Sequence, residues 1–332
     1  MFVKNKKEFR IFILGGSSVA GTFVASENTT LAAVLEDRIK EEFKNQKINL
    51  IPKVINAGVG GFYSSQSFAL LKWYLLPLKP DYVIFFNGSN DALMHNSFEG
   101  GTAEILKHDV AAYHLNIFQK HDQMLTITGV LKQFFYLAGE YSAFISLVYK
   151  TVSKFDRLRV ALGVGKKASQ DEVDSTIRIL LEQYRRNILA SIGVCNQFKI
   201  GIAYFLQPVL SHNQPNLTDK ELEIFNSKPY NWHNRNYFTY RNKFYDGASL
   251  MFKNLKKTNF SSSVLIEDFS SIFNPENKKR GETFWGDHVH YTDAGRITIV
   301  SEMIKRIRGD IVKKARAVEI GIYQGANGSL IE

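Results

Sequence analysis

Three short apolar runs each stop at a loop of glycine, serine or asparagine, and this repeated pattern constrains the fold more than any other feature of the sequence. Residues 10–14 end at Gly15-Gly16-Ser17-Ser18. Residues 53–55 run into Asn56-Ala57-Gly58-Val59-Gly60-Gly61. Residues 81–86 are bracketed by Pro80 and by Asn87-Gly88-Ser89-Asn90-Asp91. Unbroken branched and aromatic runs predict strands buried on both faces, because a strand with one wet face would alternate. Between them lie stretches with helical spacing, 31–43 with charge on its other face and 67–76 ending at Pro77. Strand, polar loop and helix in alternation predict an α/β fold, a three-layer αβα sandwich around a mostly parallel sheet whose loops carry the chemistry.

The pattern resumes further along the chain. Residues 171–191 have Ile177, Leu180, Leu181, Tyr184, Ile188 and Leu189 on one helical side, and 199–206 form a strand that stops at Gln207-Pro208. A last strand is expected at 264–269 and a closing helix at 293–307, while nothing in 315–332 compels a particular fold. Residues 103–165 are less regular and are read as a helical insertion or lid. Their aromatic residues Phe134, Phe135, Tyr136, Tyr141, Phe144 and Tyr149 suit a packed helix pair, with a cover over the site, a membrane-facing surface or a subunit contact as the other uses. Residues 211–245, rich in Asn, Tyr, Trp and His, are read as a long polar aromatic loop region with short helices. There is no internal repeat, so residues 1–332 are taken as a single domain.

Composition removes several function classes. A chain of 332 residues that is 45% hydrophobic can bury a substantial core. The formal net charge of +10 is dispersed over groups such as Lys4, Lys6 and Lys7, or Lys313, Lys314 and Arg316. With no zinc-ligand spacing or base-reading motif beside them, a nucleic-acid partner is not expected, and a solvated basic face or peripheral association with an anionic membrane fits better. The single cysteine, Cys195, excludes an internal disulfide and a multi-cysteine metal site, and its apolar setting predicts a buried thiol. No apolar run approaches the roughly 18 residues that span a bilayer. Residues 11–14 are too short for a signal-peptide core, so the expected location is cytoplasmic, with the periplasm or cell envelope as the alternative.

The loops offer the groups that acyl transfer requires. Ser17 follows the first strand, where a serine at a helix start lies among free backbone N–H groups aimed at developing negative charge. Gly61 can turn its N–H towards the same carbonyl oxygen, and the Asn90 side-chain amide is a second donor, together an oxyanion hole. Asn90 and Asp91 could instead cap the next helix. Near the C-terminus, Asp287 and His290 stand three residues apart, so one turn can set the carboxylate against one imidazole nitrogen while the other takes the serine proton. The competing use of this segment is a metal site made from Asp287, His288, His290 and Asp293, but neighbouring ligands at these spacings do not close a usual coordination shell, and that use leaves Ser17, Gly61 and Asn90 without a role.

These segments, in this order, resemble the blocks of the SGNH hydrolase superfamily, also called the GDSL esterase/lipase family. Ser17 falls on its nucleophile and Gly21 on the glycine closing that block, Asn56 and Gly61 fall on the second block, Asn90 on the third, and Asp287 and His290 on the last. The resemblance covers about residues 10–95 and 175–310. It implies a flavodoxin-like strand order, catalytic roles for Ser17, Gly61, Asn90, Asp287 and His290, and no cofactor. Two positions depart from the pattern: Gly16 stands where aspartate is usual, and Ser89 where glycine often precedes the asparagine. Gly-Gly-Ser-Ser at the first block, Tyr184-Arg185-Arg186-Asn187 and Gln207-Pro208 resemble bacterial members associated with surface-polysaccharide production. The expected activity is therefore a serine esterase acting on a small-molecule or glycan ester, with carbohydrate O-acetyl groups leading. Tyr230, Trp232, His233 and Tyr237 are candidates for a sugar-binding wall. The alternatives are a lipase, thioesterase or acyltransferase for longer acyl groups, or a catalytically silent carbohydrate-binding protein.

Overall fold

A computed structural model describes residues 4–93, 169–210, 212, 217–227, 237–258, 260, 264–273 and 282–321. Five strands form one sheet: β1 (Glu8–Gly15), β2 (Ile51–Gly58), β3 (Tyr82–Asn87), β4 (Gly201–Leu206) and β5 (Val264–Asp268). Their order is β2-β1-β3-β4-β5, and every pairing is parallel. Among the described residues, the α-helices are α1 (Ser17–Ala20), α2 (Leu31–Asn45), α3 (Ser64–Leu70), α4 (Gln170–Gln197), α5 (Asp219–Asn226), α6 (Tyr237–Lys256) and α7 (Asp293–Glu319). The α/β architecture expected from the alternation of apolar runs and polar loops is the one observed.

The period-two geometry of strands sorts the apolar runs into two cores. Phe9, Ile11 and Ile13 of β1 face one side with Ile84 and Phe86 of β3, where they meet Leu35 and Ile39 of α2 and Ile299 and Met303 of α7. Phe12 and Leu14 face the other side with Val83 and Phe85, against Leu180, Tyr184 and Ile188 of α4 and Phe244 and Phe252 of α6. Every residue of β3 and β4 is buried, which explains why both runs are unbroken in the sequence. The edge strand β2 is only partly covered, and it carries Pro52 and Lys53, residues that discourage further strand pairing.

From β1 the chain crosses to β2 on one side and then returns to β3 on the other. Loops leaving the carboxyl ends of β1 and β3 therefore diverge, and the crevice between them is where open parallel sheets place their sites. The register brings those ends level, with Gly15 opposite Phe86 and Gly58 opposite Gly15.

Several element boundaries differ from the expectation. Helix α4 runs on to Gln197 and takes in Cys195, whose buried thiol is pushed well up by desolvation. Helix α7 extends to Glu319, because Ile311 and Ala315 continue its buried stripe past Ile307. The stretch 67–76 is α-helical over Ser64–Leu70, then winds as a π turn over Leu71–Leu75 and a 3-10 turn over Leu76–Leu78. Within 211–245, α5 is a short helix as expected, whereas α6 starts at Tyr237 and runs past the region's end to Lys256. Its helical period shows only from Tyr240 through Phe244, Ala248 and Phe252, so a reading that stops at 245 sees too little of it. The insertion 103–165, including its six aromatic residues, and Tyr230, Trp232 and His233 lie outside the described residues. Among the described residues, no helix is long and apolar enough to cross a membrane.

Candidate active site

Ser17 opens α1 directly beyond β1, on a turn fixed by the Gly16 carbonyl accepting from Val19 and Ala20 at 3.1 and 3.0 Å. Its Oγ lies 2.7 Å from His290 Nε2, although 273 residues separate the two in sequence. His290 Nδ1 in turn lies 2.7 Å from Asp287 Oδ2. An ionised carboxylate accepts Nδ1–H, which leaves the Nε2 lone pair free to accept the serine proton. Burial pushes the Asp287 carboxyl up, but the bond to His290 and the N–H groups of Val289 and His290 outweigh it, holding the group below its ordinary range.

Asp287 and His290 sit on one tight loop. Trp285 and Tyr291 pair antiparallel at its base, and the N–H of Gly286 donates to the His290 carbonyl at 2.9 Å. Within the loop, Asp287 Oδ1 accepts from the N–H groups of Val289 and His290 at 2.7 and 2.8 Å. Phe273 packs edge-on against Trp285 and Tyr291, while the Tyr291 hydroxyl donates to the Pro208 carbonyl at 2.8 Å. One carboxylate thus shapes the loop and orients the imidazole.

The two expected oxyanion donors lie on loops that are joined to each other and to the Ser17 turn. Val59 N–H donates to the Gly15 carbonyl at 3.0 Å, which pins the loop after β2 over the end of β1. Gly61 in that loop has a φ of 80°, a conformation that favours glycine. Its N–H makes no hydrogen bond among the described residues. Asn90 Nδ2 donates to the Phe62 carbonyl at 2.9 Å, leaving its second N–H for another acceptor. A Cβ at Gly16 would fall 2.4 Å from that same Nδ2. The bare backbone at Gly16 lets the Asn90 amide lie against the residue before Ser17.

The residues after 93, on which the capping use of Asn90 and Asp91 turns, lie outside the described residues, and Asp91 is turned towards α3. Its carboxylate accepts from the N–H of Ser64 at 3.0 Å and from the Ser64 hydroxyl, and so ties the β3 loop to the first turn of α3. Asn187 Nδ2 donates to Ser64 Oγ at 2.9 Å. Ser64 and Asp91 are both buried, and this serine-carboxylate pair braces the loops that carry Gly61 and Asn90.

The structure adds positioning residues that the search for acyl-transfer groups passed over. Gln207 Nε2, at the end of β4, donates to Ser18 Oγ at 2.8 Å and lies 3.3 Å from the Val289 carbonyl, which Ser18 Oγ also reaches at 3.1 Å. It thereby connects the neighbour of Ser17 to the neighbour of His290. The Tyr184 hydroxyl donates to the Asn87 carbonyl at 3.2 Å beneath the Asn90 loop. The available signal was a glutamine at the end of an otherwise apolar strand, and polar atoms at Tyr184 and Asn187 beside an apolar helical stripe.

The four side chains weighed as a metal site do not converge. Asp293 pairs with Arg296, and His288 Nε2 lies 3.3 Å from the Ser227 carbonyl. Among the described residues, no three His, Cys, Asp or Glu side chains gather as metal ligands.

No family model matches the chain, and no curated protein matches it in sequence. Solved structures resemble it at low identity. An acetylxylan esterase from Geobacillus stearothermophilus, solved as a catalytic mutant, aligns at 12% identity and a TM-score of 0.43, over 90% of this chain and 93% of that one. The psychrotrophic esterase EstA from Pseudoalteromonas sp. aligns at 12% identity and a TM-score of 0.43, over 91% and 97%. A two-domain esterase active on acetylated mannans aligns at 14% identity and a TM-score of 0.40, over 93% of this chain and 50% of that one.

Proposed function

We propose that this protein is a serine ester hydrolase of the SGNH/GDSL kind, and that its substrate is an O-acetylated carbohydrate. The observation that carries the catalytic part is the chain of two 2.7 Å contacts from Ser17 Oγ through His290 to Asp287. In the proposed cycle, Ser17 Oγ attacks the ester carbonyl as His290 Nε2 takes its proton. The N–H groups of Ser17 and Gly61 and the Asn90 side chain hold the oxyanion. His290 returns the proton to the departing alcohol and leaves an acyl-serine. Water, deprotonated by the same imidazole, then attacks the acyl carbon, so one carboxylic acid is released and Ser17 regains its proton. Asp287, held ionised, keeps the imidazole in the required tautomer and stabilises its charged form.

The carbohydrate part is supported by the resemblance of Gly15-Gly16-Ser17-Ser18, Tyr184-Arg185-Arg186-Asn187 and Gln207-Pro208 to hydrolases associated with polysaccharide production.

The test is covalent labelling of the full-length protein with a fluorophosphonate, read by intact mass. One adduct is expected, on Ser17, and none on Ser17→Ala at equal folding by circular dichroism. Acetate release from acetylated sugars and from long-chain aryl esters then ranks substrates. An adduct that persists in Ser17→Ala would sink the assignment of the nucleophile, and activity confined to long acyl chains would sink the carbohydrate assignment.

A further inference from the structure

Phe23 combines three properties that packing alone does not explain. It is 60% exposed, although large apolar side chains gain by burial. Its ring centroid lies 5.6 Å from that of His290, at an interplanar angle of 49°. Its φ of 63° puts a bulky residue in the left-handed region, where glycine and asparagine are at ease and other side chains are strained. Phe23 is the third residue of a turn closed by Val24 N–H donating to the Gly21 carbonyl at 3.2 Å, a place where glycine commonly supplies the positive φ.

Other residues hold this conformation in place. Arg296 is buried, and its guanidinium donates to the carbonyls of Phe23 at 3.2 Å, Thr29 at 2.9 Å and Tyr291, while Asp293 pairs with it. One buried cation therefore couples the turn bearing Phe23 to the loop bearing His290. Gly286 lies against the ring, with a notional Cβ only 3.6 Å from Phe23 Cγ. An exposed, strained ring that is braced from behind and set beside the acid-base group is what a substrate contact requires.

We propose that Phe23 is the stacking platform for the alcohol half of the ester, and that this half is a sugar ring. The inference rests on the proposed esterase reading and deepens it. For His290 Nε2 to protonate the departing oxygen, that oxygen must come within about 3 Å of it. The carbons bearing the oxygen then lie beside an aromatic ring centred 5.6 Å from the imidazole. A phenyl face offers no hydrogen bond, but its electron-rich surface favours the flat C–H face of a pyranose. A flexible alkyl chain would instead gain most from an enclosed apolar wall, which a ring 60% exposed does not supply.

Steady-state kinetics on the full-length protein with β-D-glucose pentaacetate and ethyl acetate test this, since the two esters share an acyl group and differ in the alcohol. Phe23→Ala should raise KM for the sugar acetate about tenfold more than for ethyl acetate, with most of the loss in KM rather than kcat. Phe23→Trp should restore the sugar KM. Phe23→Gly, which removes the ring and relieves the positive φ, should show the same KM change with a melting temperature at or above that of the wild type, and so separates ring loss from unfolding. Equal losses on both esters, or an unchanged sugar KM in Phe23→Gly, would overturn the proposal. A wild-type protein that labels at Ser17 with fluorophosphonate but does not turn over the sugar acetate would overturn the platform and leave the esterase reading standing. Absence of labelling would overturn both.

Discussion

On the proposed mechanism, replacing Gly16 by alanine should displace the Asn90 amide from the oxyanion position and leave the Ser17–His290–Asp287 contacts untouched. The backbone at Gly16, with φ −84° and ψ −152°, is extended, so the added methyl meets its obstacle in space rather than in its own torsions. That obstacle is Asn90 Nδ2, 2.4 Å from the ideal Cβ, whereas ordinary contact begins at 3.4 Å. The amide must retreat by the difference, about 1 Å, and its 2.9 Å bond to the Phe62 carbonyl is lost or badly bent. Removal of one donor costs about 10²–10³ in kcat, and a displaced donor should fall near the lower bound, about 2.7 kcal/mol. Stability should change by only about 1 kcal/mol, the net worth of one neutral hydrogen bond. The assay is kcat on 4-nitrophenyl acetate for Gly16→Ala, Asn90→Ala and the double variant. Because Asn90→Ala removes the atom that the methyl strikes, the double variant should be no worse than Asn90→Ala within about threefold. Wild-type turnover in Gly16→Ala, or losses that multiply in the double variant, would refute the argument.

Two further outcomes follow from the same geometry. Asp287→Asn should lower kcat by about 10⁴ through the wrong imidazole tautomer, while an amide oxygen still accepts from Val289 and His290 and preserves the loop; stopped-assay kinetics with a circular dichroism melt checks both. Stability should fall as pH drops below about 6.5. Burial lowers the pKa of His288, and Arg241 nearby lowers it further, against smaller opposing contributions from the Ser227 carbonyl and Asp287; burial also lowers that of His212. The unfolded chain then takes up protons before the folded one does, so the stability present above pH 6.5 drains away until the folded rings also titrate. Melting temperatures from pH 7.5 to 5.5 should decline in the wild type and decline less in His288→Gln, and a flat wild-type profile would contradict this.

The parts of the fold that were legible in the sequence are those enforced by burial on two faces. β3 and β4 read as unbroken apolar runs because helices cover both sides of them. The end of α4 is hard to read because Gly193 breaks the helical pattern before Cys195, and the end of α7 because Lys313 and Lys314 stand before the buried Ala315. Ser17, Asp287 and His290, which the structure brings together, could be picked out because a hydroxyl, an imidazole and a carboxylate are chemically distinctive residue types in polar loops. Gln207, Ser64 and Arg296 could not, since their work is to hold other residues through contacts between distant segments, such as the 189 positions between Gln207 and Ser18. The value of Gly16 was equally hidden, because a missing side chain matters only once the Asn90 amide is seen to occupy its place.

The Trp285–Tyr291 loop has a consequence for how such a protein would fail. His290 and Asp287 are partners at a separation of three residues, and their bond is built into a self-supporting bend. Ser17 meets them across 273 residues, through the seating of α1 against that bend. Modest loosening would therefore leave the His290–Asp287 pair assembled but unplugged from Ser17, so that the proposed reaction stops at a single joint while most of the molecule keeps its shape.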